Sequence, residues 1–183
     1  MNKVKFIFNV LKTMNDKKDF RGTIQAKMNK SQGQVFSFTN EFNNKGNPLS
    51  FFPLFGGNKI NGHSSLSTAL EILNKLEIEN QEDETYLVNL NSSEFSKDMV
   101  NRLIDNINRE RMKYEHMITE AENLGSGFID DIISIKEPNI SLKVWVSKSN
   151  EIQRAKLVIR GKEDTNSTEG SNIELKTSIV LFK

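Results

Sequence analysis

One stretch constrains the fold more than any other: "SLKVWVSKSNEIQRAKLVIRGK", residues 141–162. Leu142, Val144 and Val146 alternate with Ser141, Lys143, Trp145 and Ser147, and a polar corner follows at Lys148, Ser149, Asn150 and Glu151. A second alternating run then places Ala155, Leu157 and Ile159 on one side. Successive side chains on a strand point to opposite faces, so this pattern predicts an antiparallel hairpin with one buried and one wet face. The wet face carries the only tryptophan, Trp145, beside Lys143, Arg154, Lys156 and Arg160. A function for that face is the question the hairpin raises.

The same period recurs elsewhere. Phe20, Gly22, Ile24, Ala26 and Met28 alternate with polar residues, "NKSQG" turns the chain, and Phe36, Phe38 and Phe42 then share a face. "ETYLVNLN" predicts a strand with Tyr86, Val88 and Leu90 on one side, and "NIELKTSIVLF" another with Ile173, Leu175, Ile179 and Leu181 inward. Residues 128–135 read as a further short strand. Helical spacing appears in three places. Val4, Ile7, Leu11 and Met14 form a stripe near the start, and Leu66, Ala69, Leu70, Leu73 and Leu76 form a second. A long helix should open at Asn91 or Ser92, either placed to cap it, and continue through Phe95, Met99, Leu103 and Ile107 toward "NLGSG". The segregated order of helices and strands predicts a single α+β domain over residues 1–183, built on an antiparallel sheet.

Composition bounds the chemistry. The 183 residues suffice for a real core, and 25 basic against 24 acidic residues leave the chain nearly neutral. The basic residues are scattered along the sequence, which offers no footprint for nucleic acid. With no cysteine, disulfides, thiolate metal sites and a cysteine nucleophile are excluded. No apolar run approaches the ~18 residues of a membrane span, and Asn9 interrupts an apolar start too short for a signal peptide. His63 and His116 stand in a glycine loop and a charged helix, neither at metal-ligand spacing, and no Gly-x-Ser-x-Gly elbow is present. "LFGGNKINGHSS" lacks the lysine placement of a phosphate loop, and Asp130 and Asp131 would face opposite sides of a strand. No catalytic constellation, metal site or cofactor site is expected.

Two features invite a binding role. "SFFPLFGG" gathers Phe51, Phe52, Leu54 and Phe55 around Pro53, between Gly46 and Gly56-Gly57. Such a loop either lids the core or contacts a lipid chain or a partner. Trp145, with Arg154 nearby, is either covered by a helix or marks a binding surface. "GKEDTNSTEGS" before the last strand is a long polar loop that would permit strand exchange between copies, so a monomer and a strand-exchanged dimer both stand open.

In layout the chain resembles the LolA-like superfamily of bacterial lipoproteins and lipoprotein carriers. The resemblance rests on the first helix running into "FRGTIQAKM", the passage "TYLVNLNSSEFSKDMVNRLI" and the closing "LKVWVSKSNEIQRAKLVIRG". It spans roughly residues 3–182 and implies a curved antiparallel sheet, or half-barrel, packed on and partly wrapped around two to four helices, whose apolar lining can receive acyl chains. It also implies no catalytic residues and, in many Gram-positive relatives, a membrane anchor; with no lipobox cysteine in this sequence, an extracytoplasmic, anchored place in the cell envelope is expected only if the N terminus has been trimmed. Some such lipoproteins support a cell-wall amidase in spore germination. The expected job is therefore docking a cell-envelope protein partner, with carriage of a lipid or acyl chain as the alternative and an enzyme of unrecognised type as a third reading that no residue constellation motivates.

Overall fold

The computed structural model describes residues 1–17, 19–31, 33–45, 71–94, 135–163 and 171–182. One helix, α1 (Lys3–Asp16), precedes a hairpin of β1 (Asp19–Lys30) and β2 (Gly33–Lys45). A helical turn at 71–75 leads into β3 (Glu77–Asn80) and β4 (Thr85–Asn91), and a 3-10 turn follows at Ser92–Glu94. The chain closes with β5 (Ile135–Ser147), β6 (Ile152–Glu163) and β7 (Asn172–Phe182). All seven strands form one antiparallel sheet in the order β2-β1-β7-β6-β5-β4-β3. The N-terminal hairpin therefore docks on the C-terminal strand, and β2 and β3 are the two edge strands.

The expected hairpin is present, with Leu142 opposite Leu157 and Val144 opposite Ala155. Its corner closes by Asn150 N–H donating to the Ser147 carbonyl at 3.0 Å, with Asn150 at φ 63°, a left-handed conformation that asparagine tolerates. Strand β5 begins earlier than the sequence pattern predicts. It runs from Ile135 through Pro138 into the hairpin; of the strand expected over 128–135, residues 128–134 lie outside the described residues. A register shift between Lys136 and Asn139 accommodates the proline, which has no N–H for the ladder. The short edge strand β3 was not expected at all, since "EIEN" carries one apolar residue.

Helix α1 starts where Asn2 Oδ1 accepts from Lys5 N–H at 3.0 Å. The buried stripe is Phe6, Val10 and Met14, not Val4, Ile7, Leu11 and Met14: Ile7 and Leu11 flank it, and Val4 is 60% exposed. Phe6 meets Tyr86 edge-on at 5.2 Å, and Met14 Sδ accepts the Ile152 N–H at 3.3 Å. These contacts fix α1 over β4, β5 and the start of β6, where it completes one core with Val88, Leu142, Val144 and Val146. A second cluster toward the other end of the strands joins Met28, Ile135, Ile140, Ile159, Ile173 and Leu175, and Ile72 packs against both. Of the second predicted helix, 71–75 is helical, and Leu76 just beyond it is buried; positions 66–70 lie outside the described residues. The long helix expected from residue 95 also lies outside them. At its start, Asn91 Oδ1 does accept the Ser93 N–H at 3.1 Å.

Candidate docking face of the sheet

Helix α1 covers one face of the sheet, and the alternating partners point to the other. Pairing carries a single row across that outer face: Glu79 on β3, Leu87 on β4, Trp145 on β5, Arg154 on β6, Val180 on β7 and Thr23 on β1. Directly paired residues on one face lie within side-chain contact, so the row is continuous. The Arg154 guanidinium sits over the Trp145 ring, 5.1 Å from its centroid, a cation–π contact. Trp145 is half-buried, and the group lying on its ring is this arginine. Val180 is 39% exposed and Phe182, on the same face, 49%.

The outer face can be read in this way only because of a bulge. Trp145 pairs with Arg154, yet the next pair is Val146 with Ile152, so Gln153 is an extra residue on β6. It lets Ile152 turn inward against Met14 while Arg154 turns outward onto Trp145.

The sequence pattern singled out Trp145 and Arg154, and the structure brings them into contact. It missed Leu87, Val180 and Phe182, which complete the apolar part of the face. Their signal was faint: single apolar residues at the polar phase of their strands, with nothing local to say that the strands are neighbours. Phe51, Phe52, Leu54 and Phe55 lie outside the described residues, as do His63, His116, Asp130 and Asp131.

Beyond this row the face is charged. Basic residues scattered in sequence converge there, because β6 points Arg154, Lys156, Arg160 and Lys162 to the same side. Lys143 of β5 stands directly opposite Lys156, and Lys27 of β1 opposite Lys176 of β7. Glu174 answers part of this charge, accepting from Arg160 at 2.7 Å and pairing with Lys176 at 2.5 Å. The Lys176 ammonium, with help from Arg160, holds the Glu174 carboxyl below its ordinary pKa against the opposing effect of burial. At the Lys162 end the surface opens into a cleft of about 760 Å³ between β1, β6 and β7, lined by Asn29, Arg160, Lys162 and Asn172.

Among the described residues no three histidine or carboxylate side chains cluster as metal ligands, and no helix is long and apolar enough to cross a membrane. Comparison with protein-family models, curated proteins and solved structures finds no match to this chain.

Proposed function

We propose that this chain is a non-catalytic binding module that docks a partner protein on the outer face of its sheet. The observation that carries this reading is the row Leu87–Trp145–Arg154–Val180: a tryptophan clasped by an arginine and flanked by the half-buried Leu87 and the exposed Val180 across four strands. Protein interfaces concentrate aromatic and arginine side chains, and their energetic centres are enriched in both.

The alternative of an acyl-chain carrier needs room between helix and sheet. Between α1 and strands β4–β6 the space left amid Phe6, Val10, Val88 and Val146 is about 20 Å³. Ligand pockets run to roughly 300–1,000 Å³, so at this place the core is filled, which weighs for the docking module. The layout of one leading helix against an antiparallel sheet is in keeping with the LolA-like resemblance. On that reading the sheet curves as a half-barrel around α1 and further helices, and the module works in the cell envelope. A cell-wall hydrolase is then the partner of choice.

The test is site-specific photo-crosslinking from position 180, with position 8 on α1 as control, in the cell that makes the protein. The expected result is a discrete adduct from position 180 alone. When the adduct's partner is purified and rebound, Trp145→Ala should weaken the complex by about 2 kcal/mol, roughly thirtyfold. Equal crosslinking from both positions, with unchanged affinity of Trp145→Ala, would refute the proposal.

A further inference from the structure

We infer that the surface recognised by this face is an acidic protein surface, apolar along one line and carboxylate-rich beside it; the inference rests on the docking reading above. Charge is segregated on the outer face in a way the net charge of +1 conceals. The middle strands carry Lys143, Arg154, Lys156, Arg160, Lys162 and Lys176, with Glu174 as the acid among them. Of the other acids of the face, Glu77, Glu79 and Glu41 stand on the edge strands β3 and β2, and Asp19 at the first position of β1.

Most of this cationic centre is unanswered. Among the described residues Lys143, Arg154, Lys156 and Lys162 form no ion pair, whereas Arg160 and Lys176 share Glu174. Like charges directly opposite each other destabilise a sheet. The Lys143–Lys156 pair is thus a standing cost in the isolated chain, which an acidic partner would relieve, whereas Lys176 opposite Lys27 already has Glu174. The geometry also sets where the acids must lie. Lys143 and Lys156 are two residues along their strands from Trp145 and Arg154, about 7 Å away at strand rise. A matching surface places apolar groups against Leu87–Val180 and carboxylates one row over.

Other polyanions fit less well. Single-stranded nucleic acid needs an open aromatic face to stack bases, and the Trp145 ring already has Arg154 over it. An anionic membrane rewards a broad set of apolar side chains that project beyond the charges, whereas Leu87 and Trp145 are half-buried within their row and only Val180 and Phe182 beside them are exposed. A folded protein surface or acidic segment can satisfy both rows at once.

Because Trp145 is the only tryptophan, its emission reports on this face in the intact chain. The probes are a short peptide of alternating glutamate and leucine, poly-L-glutamate and oligothymidylate of equal charge, and phosphatidylglycerol vesicles. The expected order is the glutamate–leucine peptide tighter than every other probe by about tenfold or more, as charge alone does not supply the apolar row. Its affinity should fall by at least about tenfold between about 0.01 M and 1 M salt, as the screening length drops from about 30 Å to about 3 Å. Lys143→Glu with Lys156→Glu should cost at least about tenfold, Lys143→Gln with Lys156→Gln less, and Lys12→Glu on α1 nothing, with far-ultraviolet circular dichroism confirming the fold of each. Tighter binding of oligothymidylate or vesicles, or an unchanged charge-reversed variant, overturns the inference. With the crosslinked partner the two proposals separate. Loss on Trp145→Ala but not on lysine reversal leaves a docking face whose partner is not acidic, and no loss on Trp145→Ala removes the docking reading itself.

Discussion

Ser92 holds together the point where β4 stops and β5 continues. The last pair of the β4–β5 ladder is Asn91 with Ser141. One residue further, the Ile140 N–H faces the space where β4 would have supplied a carbonyl, and Ser92 Oγ accepts it instead at 2.6 Å. Both residues are 5% exposed, so no water can substitute freely. Ser92→Ala removes the acceptor and leaves a buried N–H unpaired, which costs about 1–3 kcal/mol. For a chain of this size each kcal/mol lowers the melting temperature by about 2–4 °C. Urea unfolding should show an earlier midpoint at unchanged slope, and hydrogen exchange should quicken at the Ile140 amide more than at Ile159 across the β5–β6 ladder. Asn91→Ala, which removes only the exposed bond to Ser93 N–H, is the control and should cost about 0.5–1 kcal/mol. A Ser92→Ala variant as stable as the parent, with an unaltered Ile140 amide, would show that the loss is satisfied elsewhere and refute the reasoning.

At Gly22 an added Cβ would collide with the Val180 carbonyl oxygen of β7 and with the Phe42 ring. The first of these is backbone, so Gly22→Ala must push strands apart and should cost about 1–3 kcal/mol in urea unfolding despite alanine's easier ordering. Met14 is 1% exposed and touches β6 through its sulfur. Met14→Ala should lose about 2–5 kcal/mol, and Met14→Leu, which keeps the volume but not the sulfur acceptor, markedly less. Glu174 has a folded pKa below its ordinary 4.5. Its contribution to stability is therefore present above about pH 4.5 and lost as the pH falls through the lower folded value. A carboxyl carbon titration by NMR should find its midpoint below 4.5, and Lys176→Met should move it upward.

Much of the strand content follows from a two-residue period. In 20–28, 85–91, 141–147 and 172–182 that period assigns inward and outward residues, and the corner at Lys148–Glu151 marks its own reversal. The period stops being informative where the chain breaks it. Pro138 reads as an interruption, and the structure absorbs it in a bulge. Ile152 and Ala155 are out of phase in sequence and share a face only because Gln153 is extra. The helix was underdetermined for a different reason. Apolar residues occupy more than half of its circumference, so Val4–Ile7–Leu11 and Phe6–Val10–Met14 are both plausible stripes, and the sheet decides between them.

The candidate site divides along the same line. Trp145 and Arg154 are near in sequence, and a hairpin of evident register brings them together. Leu87, Val180 and the lysines of β1 and β7 come from segments far apart in the chain, whose adjacency depends on β7 pairing with both β1 and β6. By itself the sequence determined the faces of individual strands, the first helix and the main hairpin, because these depend on neighbouring residues and the pitch of the backbone. Strand order, the choice of helix stripe and the gathering of scattered cations onto one surface were decided only by the tertiary structure, because each depends on which distant segments lie side by side.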